Sequence, residues 1–274
     1  MTKSLIRKCN ILSLLCSKYG SRWFVAGCCV AFVVLALFDK WLNPVLSSDG
    51  AFYLQMVECW KRGGSYEGIL DHFKGTDWIP VFSLYLIKIL ADCGAPLEVA
   101  GVGISMVTGM TLPLLVYVIA QEIQSDKRVS LAAALLITFN PSMIELGREV
   151  QRDMLYIGLC GWSIFFALKG LMRKSVWPWI PAGILGACAM LTRYETFEML
   201  PVLLFAFLLF GIKKELPWKK IGQQFVVFVA AGVMTVFVLL YSMGVQEYTL
   251  SSYSKYFNSK WILLERKVAD GEGI

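Results

Sequence analysis

Apolar residues in this chain run in long blocks, not at the spacing of a half-buried strand or a surface helix. Seven blocks stand out: Arg22 to Leu42, Pro96 to Gln121, Val129 to Phe139, Asp153 to Leu171, Trp179 to Leu191, Phe197 to Ile212 and Ile221 to Gly244. A hydrocarbon core about 30 Å thick is crossed by roughly 20 helical residues. The blocks therefore predict an all-α, polytopic transmembrane helical bundle of about seven spans. The third and fifth are short and are expected to tilt or to lean on partners. Basic residues precede the first block without a small-residue cleavage site, so it reads as a retained span and not a signal peptide.

The connections between blocks are unequal. Those at Glu122 to Arg128, Met172 to Trp177 and Lys213 to Lys220 are short and basic, whereas the connection from Asn43 to Ala95 is long and rich in aromatic residues: Phe52, Tyr53, Trp60, Tyr66, Phe73 and Trp78. Within it, Phe52, Met56, Cys59 and Trp60 recur at helical spacing with Gln55 and Glu58 opposed, and Trp78 to Leu90 forms a second apolar stretch. Both predict helices at the membrane interface, where Trp and Tyr settle. One membrane domain over 1–274 is the economical division: a basic tail (1–21), a first span (22–42), a long loop (43–95), the remaining spans (96–244) and a tail (245–274).

Composition agrees with this division. Of 274 residues, 57% are hydrophobic and 17% charged, with mean hydropathy +0.61, against about 45–50% apolar and about 25% charged in soluble domains. An ordinary water-soluble enzyme is excluded. The net charge of +6 reports topology, not nucleic-acid binding. With the N-terminus in the cytoplasm, the inside segments hold 14 of the 26 basic residues and three acidic ones, net +11, and the outside 12 bases and 17 acids, net −5. Basic residues near short loops are retained on the cytoplasmic side, so the charge predicts an inside N-terminus and an outside C-terminal tail. A single His72 and the lack of a Cys-x-x-Cys pair give no metal-ligand pattern, and no nucleotide-binding Gly-rich loop is present. Among eight cysteines, Cys59 and Cys93 share the outer loop, where an oxidising compartment would permit a disulfide; the rest read as small apolar packing residues.

Charge near a bilayer is costly unless it faces a cavity or a partner, and three polar clusters fall on the predicted outer side. Ser47-Ser48-Asp49-Gly50 follows the first span. Asp49 there reads as a helix cap, as an acceptor for a hydroxyl proton with its pKa raised in a low-dielectric crevice, or as both. Asn140-Pro141 opens a helix in the manner of an N-cap followed by proline. On a continuous helix from that point, Glu145, Glu149 and Asp153 form one row and Arg148 and Arg152 the next, interlocked as a charge ladder. Alternatively, Arg152 is a phosphate fork, with Asp153 orienting it or binding an acceptor. Leu191-Thr192-Arg193-Tyr194-Glu195-Thr196 sits between two spans, its cation against the charge bias and so in want of a partner, Glu195 or a lipid headgroup. Gly183, Gly186, Ala187 and Ala189 just before it permit close helix packing.

Taken in order, the basic N-terminus, one span, Ser-Asp-Gly-Ala-Phe-Tyr, a long outer loop, Phe-Asn-Pro ending the third span, Arg-Asp opening the fourth and Leu-Thr-Arg-Tyr-Glu after the fifth resemble the membrane module of the type C glycosyltransferases. The resemblance is to the protein mannosyltransferase-like and lipid A aminoarabinose transferase-like group and covers Arg22 to Ile212. It implies inverting transfer of a sugar from a polyprenyl-phosphate donor to an acceptor hydroxyl, on a lipid, glycan or protein, outside a bacterial cytoplasmic membrane. Asp49 matches the acidic residue at the reaction centre, Asp153 and Arg152 the second motif, Arg193 and Glu195 the third. Catalytic candidates are thus Asp49 and Asp153; substrate- or phosphate-binding candidates are Tyr53, Arg148, Arg152, Arg193 and Glu195. The group's pattern often has a second acidic residue where Gly50 stands, so no cofactor is expected and a divalent metal is not indicated. Relatives usually continue with further spans. The ending after the seventh block therefore keeps open a fragment, a pseudoenzyme or a subunit needing a second membrane protein. A lipid-linked sugar transporter is the remaining alternative, which would require a polar path through the bilayer.

Overall fold

The computed structural model describes residues 18–63, 81–124, 126–213 and 215–245, which hold ten α-helices, one 3-10 turn and no strand. In chain order the helices are α1 (Lys18–Leu42), α2 (Ser48–Lys61), α3 (Phe82–Asp92), α4 (Leu97–Ile123), α5 (Lys127–Thr138), α6 (Pro141–Arg148), α7 (Arg152–Met172), α8 (Trp179–Met190), α9 (Met199–Ile212) and α10 (Trp218–Met243), with the 3-10 turn at Tyr194–Glu198. His72, Tyr66, Phe73, Trp78, the N-terminal 1–17 and the tail from 246 lie outside the described residues.

Every apolar block falls on a helix, but among the described residues fewer than seven full-length crossings are found. α1, α4, α7, the stretch Tyr194–Ile212 and α10 are long and apolar enough to span; α5 and α6, bent by 53° at Phe139-Asn140, make a sixth if taken as one crossing. α8 has 12 residues, about 18 Å of helix, and falls short of the hydrocarbon thickness. It is the best-packed short element, wedged between α7 and α10. Small residues make this possible: Gly183 lies against the α10 backbone at Phe228 and Gly232, and Gly186 against Ser163 and Phe228, as close packing through small residues requires.

The same device joins the first helices. Phe32 of α1 is fully buried because its ring fills gaps left by Gly109 on α4 and Gly147 on α6; a Cβ on either would press into the ring. Gly158 and Gly161 of α7 admit Thr108 and Leu115 of α4 in the same way. Hydrocarbon gives no hydrophobic reward for helix association, so these van der Waals fits carry the contact.

The two loop helices form where the spacing predicted. On α2, Tyr53, Met56, Val57 and Trp60 are buried while Gln55 and Glu58 are exposed. α3 buries Phe82, Leu84, Ile87 and Ala91. The buried faces join a core with Val102 of α4, Val150, Leu155 of α7, Leu191 and the end of α10 at Leu240 and Met243. The loop helices thus cap one end of the bundle. The opposite end gathers Lys127, Arg128, Lys169, Arg173, Lys174, Lys213, Lys219 and Lys220 at the helix termini and turns; there Arg173 pairs with Glu122 at 3.2 Å and Asp126 caps α5. The segregation of charge seen along the sequence is therefore a segregation between two ends of the fold.

Cys59 and Cys93 are both free thiols, so the disulfide that their shared loop permitted is not formed. Phe32→Ala is expected to lower stability in detergent by about 2 kcal/mol or more. Most of this is the cavity cost, because the unfolded helices already sit in an apolar phase. A thermal-unfolding midpoint unchanged from wild type would contradict the glycine-lined packing.

Candidate active site

At the capped end, three connections meet: 43–47 after α1, 149–151 between α6 and α7, and 191–196 after α8. The first is fixed by two hydrogen bonds. Ser47 Oγ accepts from Gly50 N–H at 3.1 Å, capping α2, and Ser47 N–H donates to Glu149 Oε2 at 3.1 Å. Asp49 therefore occupies the first turn of α2, where its charge suits the positive end of the helix. It is exposed, so the enclosing crevice expected around it is not formed in this structure.

The second connection departs from expectation. The continuous helix from Asn140 does not form: α6 ends at Arg148, and Glu149 adopts an extended conformation (φ −95°, ψ 153°) before α7 starts at Arg152. The row Glu145–Glu149–Asp153 and its ladder with Arg148 and Arg152 are thus broken. The reason is tertiary. Val150 is buried against Gly50 of α2 and Gly101 of α4, where a Cβ on Gly101 would lie 2.6 Å from Val150 Cγ1 and one on Gly50 3.3 Å from Val150 Cβ. Asn140 does cap α6, accepting from Met143 N–H at 3.2 Å, with Pro141 at the first position.

Arg148, a phosphate-binding candidate, is engaged as a strut. Its Nη1 donates to Asn43 O at 3.0 Å and lies 3.4 Å from Glu149 Oε1. Its Nε is 2.5 Å from Asp39 Oδ2, an ion-pair distance at which the N–H is not aligned for a hydrogen bond. Asp39 also accepts from Asn43 Nδ2 at 3.1 Å, and Lys40 reaches Glu98 at 3.0 Å. These contacts tie the end of α1 to α4 and α6.

Arg193 finds its partners in the protein. One guanidinium nitrogen pairs with Asp153, the opposite edge faces both Glu195 oxygens at 3.3 Å, and the guanidinium carbon stands 5.5 Å from the centre of the Tyr156 ring. Burial disfavours the charged form of Arg193, yet the hydrogen bonds it donates to Glu195 and the charge of Asp153 outweigh that cost and hold it above its ordinary value. The second and third sequence clusters are thereby one cluster.

Tyr53 links the first cluster to these. Burial pushes its phenol above its ordinary value; Arg152 opposes that shift, Asp49 and Asp153 reinforce it, and Arg193 opposes it. Tyr53 and Arg152 also line a small crevice whose walls include Ser83, Ile87, Ile104, Gln151 and Leu155. Asp49, Tyr53, Arg152, Asp153, Arg193 and Glu195 thus lie in one electrostatic neighbourhood, with Glu145 exposed on α6.

A family model for dolichyl-phosphate-mannose-protein mannosyltransferases matches residues 79–241. The chain belongs to this family. Membership makes it a membrane glycosyltransferase that uses a lipid-linked sugar, in keeping with the apolar helices. No curated protein matched the chain. In this mannosyltransferase-family chain the match takes in the Arg152-Asp153 and Arg193-Glu195 motifs and begins beyond Asp49.

Sequence reasoning missed Asp39, Gln151, Tyr156 and the structural part of Glu149. Two of these carried a signal. Asp39 is an acid in the last turn of α1, where the helix dipole disfavours it, so it asked for a cation. Tyr156 lies one turn after Asp153, on the same face. Among the described residues no group of three or more His, Cys, Asp or Glu side chains converges as metal ligands.

The Tyr53 titration, read as the ultraviolet difference between wild type and Tyr53→Phe, is expected to have its midpoint above the ordinary phenol value of about 10. Removing a cation in Arg152→Ala should move it higher, and removing an anion in Asp49→Asn should bring it lower. Opposite signs would separate Asp49 and Arg152 from Tyr53.

Proposed function

We propose that this protein transfers a sugar from a polyprenyl-phosphate donor to an acceptor hydroxyl on the extracytoplasmic side of the membrane, with inversion at the anomeric carbon. The N-terminus is inside, and the capped end with Asp49 faces out. The observation that carries the reading is that Asp49 and Arg152 act with opposite sign on the one phenol of Tyr53, which with Arg152 lines the crevice, at the end opposite the basic loops, in a chain of the mannosyltransferase family.

Each residue has a distinct part. Asp49 is the base: its carboxylate takes the proton as the acceptor oxygen bonds to the anomeric carbon. The bond from that carbon to the phosphate oxygen breaks, and polyprenyl phosphate leaves with the bonding electron pair. Arg152 meets the charge that develops there, in guanidinium geometry suited to phosphate. It opens α7, whose cap residue Gln151 makes no side-chain hydrogen bond to the first turn. A cation at the positive end of a helix is unfavourable by itself, and an anionic ligand turns that placement into an advantage. Arg148 and Arg193 hold carboxylates from neighbouring segments and on this reading brace the site. Asp153 and Glu195 fix Arg193 over Tyr156 and border the acceptor side. The acceptor is a lipid, glycan or protein hydroxyl reaching this end from outside.

Release of polyprenyl phosphate from a panel of polyprenyl-phosphate sugars by the purified chain in lipid tests this assignment. Asp49→Asn is expected to lower turnover by about 100-fold or more, the range for a positioned base. Arg152→Ala is expected to lower it comparably through the loss of charge stabilisation. Wild-type turnover in a well-folded Asp49→Asn protein would overturn the assignment.

A further inference from the structure

We propose that Glu149 is a positioning residue for the transfer reaction: its buried carboxylate holds the Asp49 turn in register with Arg152. The inference rests on the functional reading above and deepens it.

The carboxylate of Glu149 is nearly fully buried, with 5% of the residue exposed. Its two oxygens do different work. Oε2 accepts the Ser47 N–H at 3.1 Å across 102 residues of sequence, and Oε1 lies 3.4 Å from Arg148 Nη1. Ser47 in turn caps α2 through Gly50 N–H. Asp49 stands two residues after Ser47, and Arg152 three residues after Glu149. One hydrogen bond therefore ties together two backbone segments, each carrying one proposed reacting partner on a short leash. Val150, seated between Gly50 and Gly101, sets the same two segments side by side.

Stability alone does not account for a carboxylate here. A buried ion pair is commonly replaced by apolar residues of equal volume at no loss of stability. Arg148 does not need Glu149 for neutralisation either, since Asp39 and the Asn43 carbonyl already face it. What only an acceptor at position 149 supplies is the bond to Ser47 N–H, a donor at the start of a helix that has no partner within the helix itself. A separation error of about 1 Å between reacting groups costs about 100-fold in rate, so a single bond fixing that separation has leverage on turnover.

The test combines hydrogen exchange with kinetics on the full chain in lipid, using Glu149→Ala, Glu149→Gln and Glu149→Asp with Asp49→Asn as the control. Glu149→Asp keeps the charge beside Arg148 but is one methylene too short to reach Ser47, which keeps the test valid if Glu149→Ala does not fold. In Glu149→Ala and Glu149→Asp, amide exchange in 47–50 should accelerate by about tenfold or more, with α4 and α7 unchanged. Turnover per folded enzyme should fall by about tenfold or more while donor KM stays within about twofold of wild type. Glu149→Gln retains an oxygen acceptor and should recover to within about threefold of wild type on both readouts. Unchanged exchange in Glu149→Ala and Glu149→Asp overturns the inference. Accelerated exchange with full turnover, while Asp49→Asn is inactive, overturns it too and leaves the functional reading intact. Full turnover in Asp49→Asn removes the functional reading itself.

Discussion

Hydrocarbon gives an ionised side chain no hydration, and this constraint arranges everything else in the molecule. Charge has to collect at the two ends of the bundle and be matched there. At one end it is a collar of lysines and arginines on short connections. At the other it is an interlocked set of acids and bases: Asp39 with Arg148, Arg148 with Glu149, and Arg193 with Asp153 and Glu195. The matching is what allows three connections distant in sequence to lie against one another. Arg148 and Arg193 face carboxylates of the fold, and Arg152 lines the crevice beside Tyr53.

Between the ends, shape takes over from charge. Glycines at 109, 147, 158, 161 and 183 each receive a side chain or backbone from a neighbouring helix, and the buried hydroxyls return to carbonyls, as with Thr138 on Ala134 and Ser163 on Ala182. Such fits are rigid because interiors are close-packed with few voids, so that even one added methylene is felt. The capped end thus rests on a stiff base, and short loops there hold polar groups at fixed separations.

Much of this was legible in sequence. Block length predicted the helices, Asn140-Pro141 the start of α6, and the helical spacing of Phe52, Met56, Cys59 and Trp60 the loop helix. Three features were not. The charges at 145, 148, 149, 152 and 153 have the spacing of one continuous helix, and local spacing cannot register that Glu149 is drawn to Ser47 or that Val150 fills a gap between two glycines. That α8, short as its block predicted, is wedged between α7 and α10 instead of crossing by itself depends on partners far along the chain. The partner of Arg193 was half visible: Glu195 is two residues away, whereas Asp153 is 40 residues distant and is brought in only by the packing of α7 on α8. The local part of the site could be read, and the long-range part could not.

The charge balance of the cluster shows why a base and a phosphate-binding cation belong together here. Asp49, Arg152, Asp153, Arg193 and Glu195 carry three negative and two positive charges, so the empty cluster is net negative and does not by itself attract an anionic donor. On the proposed reading, the approach of a phosphate depends on Arg152 and the start of α7, where the field is locally positive. As the reaction proceeds the phosphate gains negative charge, which the acidic residues would oppose. At the same moment Asp49 takes a proton and becomes neutral, removing one of those acids. Proton transfer and charge development thus offset each other within one neighbourhood. The pull of Arg152 on the leaving group is strongest when the transition state requires it, the condition for an interaction to accelerate the chemical step.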